Sequence, residues 1–358
     1  MTSKESGLGH AAPMQGGGFY NQHAQLQACG GAIGLGLLSQ AVDALQSLEP
    51  PLTIADFGCA QGRNSLSPLR IAIERLRERA DSEIPISVVH TDQPENDFTS
   101  LFVLLRDSQE SYLNLDHPIF ASAIGRSFYE QILPSASVTL GWSSFAAHWL
   151  SANPVPEPGH IWTRLTPPGV RAHFAQQAAS DWRTFLSRRA CELRTGGRLV
   201  VVQPALEEAE TTSFSVLMGW AQAELELLTE TGFLQPAELS RMVILQYERH
   251  PSEVRAPFGD GAFAGLVVEA ENLSRLPDPF WTAYQANGDR DALAERYVRF
   301  FQAPFQPSLF AALDESRSPE FRQEFAARLE AALRQRIVAE PRCLLTPLMV
   351  HAILVTKR

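Results

Sequence analysis

The chain has 358 residues, 45% of them hydrophobic and 20% charged, an ordinary globular composition long enough for one large domain with insertions or for two smaller ones. A formal charge of -10, from 30 basic and 40 acidic residues with no Lys/Arg cluster, weighs against nucleic acid as a partner. Cys29, Cys59, Cys191 and Cys343 form no C-x-x-C pair, no basic leader precedes a long apolar core, and Ala32 to Leu38 is too short and Gly-rich to span a bilayer. Neither a disulfide framework, a zinc site nor a membrane partner is therefore expected, and a soluble, cytoplasmic protein is.

Met1 to Pro13 is small and polar and reads as an adaptable arm. Met14 to Gln27 holds three glycines, two aromatics and several amides ahead of a helical pattern ending near Gln46; on composition it is either a flexible leader or a lid. Leu52 to Phe57 is the first strand, and Asn64 to Arg79 an amphipathic helix with Leu66, Leu69, Ile73 and Leu76 on its apolar face. Ile86 to Thr91 is a second β-branched run that ends at Asp92. Asp97 caps a short helix through Leu105, and Ser122 to Ile124 and Ser137 to Trp142 are the third and fourth strands. Thr166, Pro167 and Pro168 start a helix that runs to Arg194, where Gly196 and Gly197 stop it. Leu199 to Val202 is the fifth strand and Thr212 to Thr231 a helical block. Ala264 to Ala270 is a sixth strand, Asp291 to Phe301 and Pro319 to Ile337 are helical, and Leu348 to Thr356 closes the chain as a strand.

Strands alternating with helices imply an α/β, doubly wound Rossmann-like sheet, with the additional helices forming a cap over the active site. The expected division is an arm (1–13), a core with its N-terminal lid segment (14–204), and a cap interleaved with the last two strands (205–358).

The loop after the first strand chooses between cofactors. A dinucleotide site calls for G-x-G-x-x-G, whereas here the spacing is D-x-G-x-x-x-G, from Asp56 through Gly58 to Gly62. An acid at that strand end repels phosphate and suits an ammonium group, so S-adenosyl-L-methionine is the better cofactor. Asp92 is placed to accept hydrogen bonds from a ribose diol.

Several ordered segments then resemble the SABATH carboxyl methyltransferases, which act on salicylate, benzoate, jasmonate and indole-3-acetate. Residues 54–66 (IADFGCAQGRNSL) are similar to that family's IADLGCSSGPNTL, and 92–98 (DQPENDF) to DLPxNDF. Residues 127–134 (SFYEQILP) resemble SFYxRLFP, and 143–151 (SSFAAHWLS) resemble SSYSLxWLS. The resemblance extends from Met14 to the C-terminus and suggests a bacterial-type member, a methyltransferase core fold and a homodimer.

By this resemblance, Asp56, Gly58 and Asn64 would line the methionine end of the donor, Asp92 and Gln93 its ribose, and Ser127 with Phe128 its adenine. Tyr20 and Gln27 match the family's Y-x-x-N-S-x-x-Q, in which the Gln touches donor and substrate. Gln27 and Trp149 would hold the substrate carboxylate, with Phe145 and His148 beside them and Met218 and Trp220 on a pocket wall. His23 and Ala24 depart from the family's Asn-Ser pair, so one hydroxyl contact to the donor is lost or supplied elsewhere. Phe145 replaces a Tyr.

A carboxylic acid with a pKa of about 4 is ionised at neutral pH, so its methylation requires no general base and no metal. The expected activity is methyl ester formation on a small aromatic or apolar carboxylic acid. Its rivals are N-methylation of a small heterocycle, nicotinamide-dependent oxidoreduction and non-catalytic ligand binding.

Overall fold

The computed structural model describes residues 11–80, 83–207, 213–345 and 348–358. Seven strands, β1 (Leu52–Phe57), β2 (Ile86–Asp92), β3 (Ile119–Gly125), β4 (Val138–Ser144), β5 (Leu193–Ala205), β6 (Leu266–Arg275) and β7 (Met349–Lys357), form one sheet in the order 3-2-1-4-5-7-6. The first five are parallel to their neighbours, and β7 runs antiparallel between β5 and β6. The order reverses between β1 and β4, which opens a crevice beyond their carboxyl ends.

Every residue of β1 is buried, as a strand covered on both faces requires. Leu52 and Ile54 pack on one side with α4 (Arg63–Arg77), while Ala55 and Phe57 pack on the other with Trp182, Phe185 and Leu186 of α6 (Pro168–Glu192). Leu66, Leu69, Ile73 and Leu76 of α4 are buried as the spacing predicts. Asp97 caps α5 (Phe98–Asp107), accepting from the Ser100 amide at 2.9 Å.

The stretch after Met14 is packed structure, made of α1 (Phe19–His23), α2 (Gln25–Ala32) and α3 (Leu35–Asp43). Small residues let it approach the sheet. A Cβ at Gly30 would meet the Phe145 ring at 2.3 Å, and one at Gly34 would meet Val202 at 2.3 Å. The Gln15 amide also donates to the Ala303 carbonyl at 2.9 Å, which ties this segment to the far end of the chain.

Several expected boundaries move. Gly196 and Gly197 do not stop α6: the helix ends at Glu192 and β5 is already under way at Leu193. The glycines instead sit at a register shift against β4, with Gly196 at φ 77°. The sixth strand starts at Leu266 because Ala264 and Gly265 form a turn at φ 52° and 81°. The helical block begins at Ser215, as α7 (Ser215–Glu230), and its expected first residue, Thr212, lies outside the described residues, as does most of the arm.

A separate apolar cluster joins α7 to helices Pro279–Asn287, Arg290–Gln302 and Pro319–Ala339, and includes Trp149, Trp162 and Tyr247. None of the four cysteines is in a disulfide, and no helix among the described residues is long and apolar enough to cross a membrane.

Candidate active site

The crevice beyond β1 and β4 holds two adjoining cavities. The first is lined by Gly58, Ala60, Asp92, Gln93, Phe128 and Tyr20. Gly58 turns the chain out of β1 at φ 87°, and a Cβ there would meet that of Ala146 at 2.2 Å. Ala60 takes the left-handed conformation at φ 45°, which a residue with a side chain adopts only when its surroundings hold it there. Its amide donates to Asp92 Oδ2 at 2.7 Å, and its carbonyl accepts from Asn96 at 2.8 Å. Asp92 Oδ1 accepts from the Gln93 amide at 2.8 Å. Burial nevertheless pushes the Asp92 carboxyl up to about 6, against the downward pull of those two amides. Each carboxylate oxygen keeps a lone pair for a further hydroxyl. Ser127 lines an outer cleft that shares Gln93, Phe128 and Trp149 with this cavity.

The second cavity is lined by Leu26, Gln27, His148, Trp162, Gln246 and the rings of Phe214, Phe300 and Phe305. Met14, Tyr20, Phe145 and Trp149 line both cavities, so the two meet there. Phe145, at φ 51°, turns the chain out of β4 and reaches over Gly30. The next residues are strapped down: the Leu150 amide donates to the Leu245 carbonyl at 2.7 Å, and the Tyr247 amide to the His148 carbonyl at 2.8 Å. The Tyr129 hydroxyl donates to the Trp149 carbonyl, and Arg249 Nη1 to that of Ala147 at 2.8 Å.

Charge is scarce in this second chamber. Burial, and then the Arg249 charge, push His148 down to about 3, while burial and the nearby Asp92 push Tyr20 up. Both are neutral at ordinary pH. The other described lining residues do not titrate. Three buried polar atoms there have no partner: Gln27 Oε1, His148 Nδ1 and Gln246 Nε2. Unpaired buried groups are costly and point to a ligand that completes them.

Thus Tyr20, Gln27, Gly58, Asp92, Gln93, Phe128, Phe145, His148 and Trp149 are brought together, with Ser127 adjacent. Four expected site residues are not. Asp56 turns to the opposite side of β1 from Ala55 and Phe57, where it meets His90 Nδ1 at 2.9 Å, and His90 Nε2 meets the Tyr112 hydroxyl at 2.8 Å. With Cys59 these two make the one group of three metal-ligating side chains among the described residues, their ligand atoms within 4.8 Å of one another. Asn64 donates to the Ala24 carbonyl at 3.2 Å and lines a separate cleft. Met218 and Trp220 pack into the cap core, where Arg336 covers the Trp220 ring, and neither lines the two cavities.

Sequence reasoning missed two residues. Gln246 is one. The other is Arg189, fully buried on α6, whose Nη1 donates to the Phe128 carbonyl at 2.7 Å and whose Nε pairs with Glu192 at 2.7 Å. Its spacing of three from Glu192 was the available signal.

A doubly wound sheet in this strand order, with a glycine turn and an acid at the ends of its first two strands, is the frame of a nucleoside-cofactor-binding protein. A family model described as SAM dependent carboxyl methyltransferase matches residues 10–345, and the chain belongs to that family. Methyltransferase FUS9 of Gibberella moniliformis is 34% identical over 193 residues, 53% of this chain and 51% of FUS9. The Petunia hybrida S-adenosyl-L-methionine:benzoic acid/salicylic acid carboxyl methyltransferase 2 is 32% identical over 231 residues, 60% of this chain and 64% of that protein. The matched stretches thus span about half to two thirds of these relatives' own length. These relatives are fungal and plant proteins and lend no support to a bacterial-type placement. The solved structure of a loganic acid methyltransferase with SAH superposes with a TM-score of 0.76 over 97% of this chain and 99% of that one at 20% identity, which shows the fold.

Proposed function

We propose that the protein forms the methyl ester of a small aromatic or otherwise apolar carboxylic acid, with S-adenosyl-L-methionine as donor. The observation that carries this reading is the pair of cavities meeting at Tyr20, Phe145 and Trp149. The first fits the donor: Asp92 offers acceptors to a ribose diol, Phe128 and Ser127 an edge for the purine, and Gly58 the close approach that a Cβ would block. When bound, the donor supplies an electrophilic methyl group.

The protein's part is positioning. The indole N–H of Trp149 and the amide of Gln27 orient a carboxylate oxygen toward the junction of the two cavities, and the surrounding rings exclude water. Neutral donors hold the anion without an ion pair that would quench its nucleophilicity. Burial leaves His148 only weakly basic and keeps the Tyr20 hydroxyl protonated, which suits an acceptor already ionised at neutral pH and disfavours one that must lose an N–H proton.

Asp56 acts through the loop rather than on the donor, tethering the first turn to His90 and β2. Asn64 likewise fixes the α1–α2 junction at Ala24. We further propose that 14–204 is the donor-binding core with its lid segment, that 205–358 is the cap interleaved with β6 and β7, and that the protein is a homodimer. Exposed Phe102, Val103 and Phe120 around the β3 edge support the last, and light scattering tests it. The activity is tested with methyl-labelled donor and a panel of benzoate, salicylate, indole-3-acetate, cinnamate and terpenoid acids. Base-labile label means ester, and base-stable label means N-methylation.

A further inference from the structure

Gln246 enters the acceptor cavity in a way the protein backbone specifies. The Leu150 and Tyr247 amides donate to the Leu245 and His148 carbonyls, so Trp149 and Gln246 face each other as the pair that exchanges no hydrogen bonds within an antiparallel bridge. Such pairs have Cα atoms about 4.5 Å apart and carry their side chains on one face. Trp149 and Gln246 therefore project together into the same chamber.

The groups they meet do not satisfy one another. Gln246 is 1% exposed, yet its Nε2 has no partner, and neither has Nδ1 of the buried His148. Both sit in a wall otherwise made largely of rings and aliphatic carbons. If Gln27 and Trp149 take the two carboxylate oxygens, a plain aromatic acid leaves Gln246 and His148 unpaired. A hydroxyl on the body of the acid satisfies both, because it accepts from the Gln246 amide and donates to the imidazole nitrogen.

Resting on the carboxyl methylation reading, we propose that Gln246, with His148, is a specificity device selecting hydroxylated acids over their unsubstituted parents. A site built to hydrogen-bond a hydroxyl rejects the analogue that lacks it, because the site's own polar groups are then left buried and unpaired.

The test is calorimetric binding of matched acids to the full chain loaded with S-adenosylhomocysteine: benzoate against the three hydroxybenzoates, and phenylacetate against mandelate. At least one hydroxy acid is expected to bind about 10- to 100-fold more tightly than its parent. Gln246→Met should reduce that ratio to near unity. Gln246→Leu, which keeps a similar bulk and can neither donate nor accept, should do the same. Unchanged S-adenosylhomocysteine affinity in both variants shows that they fold. The proposal is overturned if no hydroxy acid outbinds its parent in the wild type, or if the preference survives either substitution. Ester analysis of the same acids with S-adenosylmethionine scores the methylation reading separately. Hydroxyl-dependent binding without ester overturns that reading and leaves this inference standing.

Discussion

At the scale of single residues, the proposed acceptor chamber is lined by neutral polar groups, among them Gln27, Trp149 and Gln246. Trp149→Phe keeps the ring and removes one donor, so kcat/KM for the best acid should fall by about 10- to 100-fold, the worth of one hydrogen bond to a charged group. S-adenosylhomocysteine affinity should stay near wild type. The pH dependence belongs to the donor side. In the proposed function ionised Asp92 accepts the ribose hydroxyls, and protonation weakens that capacity by turning one oxygen into a donor. With its carboxyl pushed up to about 6, the donor KM should rise as the pH falls through that value. His148 and Tyr20 do not titrate at neutral pH, so kcat at saturating donor should stay flat from about pH 6 to 8 in a steady-state pH series. Gly58 and Asp92 were legible because strand ends and glycine turns announce themselves in spacing, whereas Phe128 and Trp149 came only from the resemblance of their segments to the carboxyl methyltransferases. The segment that holds Asp56 and Asn64 was legible, but the face each side chain takes is decided by strand alternation and packing, and Asp56 meets His90. Gln246 gave no signal in sequence, because its importance comes from a bridge to a residue 97 positions away.

At the scale of elements, turns set the site and buried polar ties hold them. Gly58→Ala puts a Cβ 2.2 Å from Ala146 and imposes φ 87° on a residue that resists it. Donor affinity should drop at least about tenfold, the equivalent of 1.4 kcal/mol, by calorimetry. Gly30→Ala instead displaces Phe145, which should impair acid turnover more than donor binding in steady-state assays. Arg189 ties α6 to the loop carrying Phe128 through that residue's carbonyl. Arg189→Met leaves Glu192 buried without its cation and should cost about 3 to 5 kcal/mol in denaturant unfolding. The Arg189→Met/Glu192→Leu pair should recover much of that stability without recovering donor affinity. Periodicity located these elements well where they are amphipathic, as in α4. It failed at Gly196 and Gly197, since a glycine pair after a helix marks a bulge in a strand as readily as a helix stop.

For the whole molecule, the alternation of strands and helices implied a doubly wound sheet with additional helices, and the structure has both. The sequence could not show how the N-terminal helices and the cap close on the sheet. The Gln15 to Ala303 hydrogen bond and the Gly30 to Phe145 approach join segments far apart in the chain, and no local pattern reports such pairings. That closure places two chambers end to end, and the central claim is that a methyl group crosses their junction onto a carboxylate. The most direct test is transfer from methyl-labelled S-adenosylmethionine to the acid panel, with the product then treated with base. Label that moves to an acid and is released as methanol on alkaline hydrolysis is the expected result. Label that stays fixed through hydrolysis, or that no acid accepts, would contradict the claim.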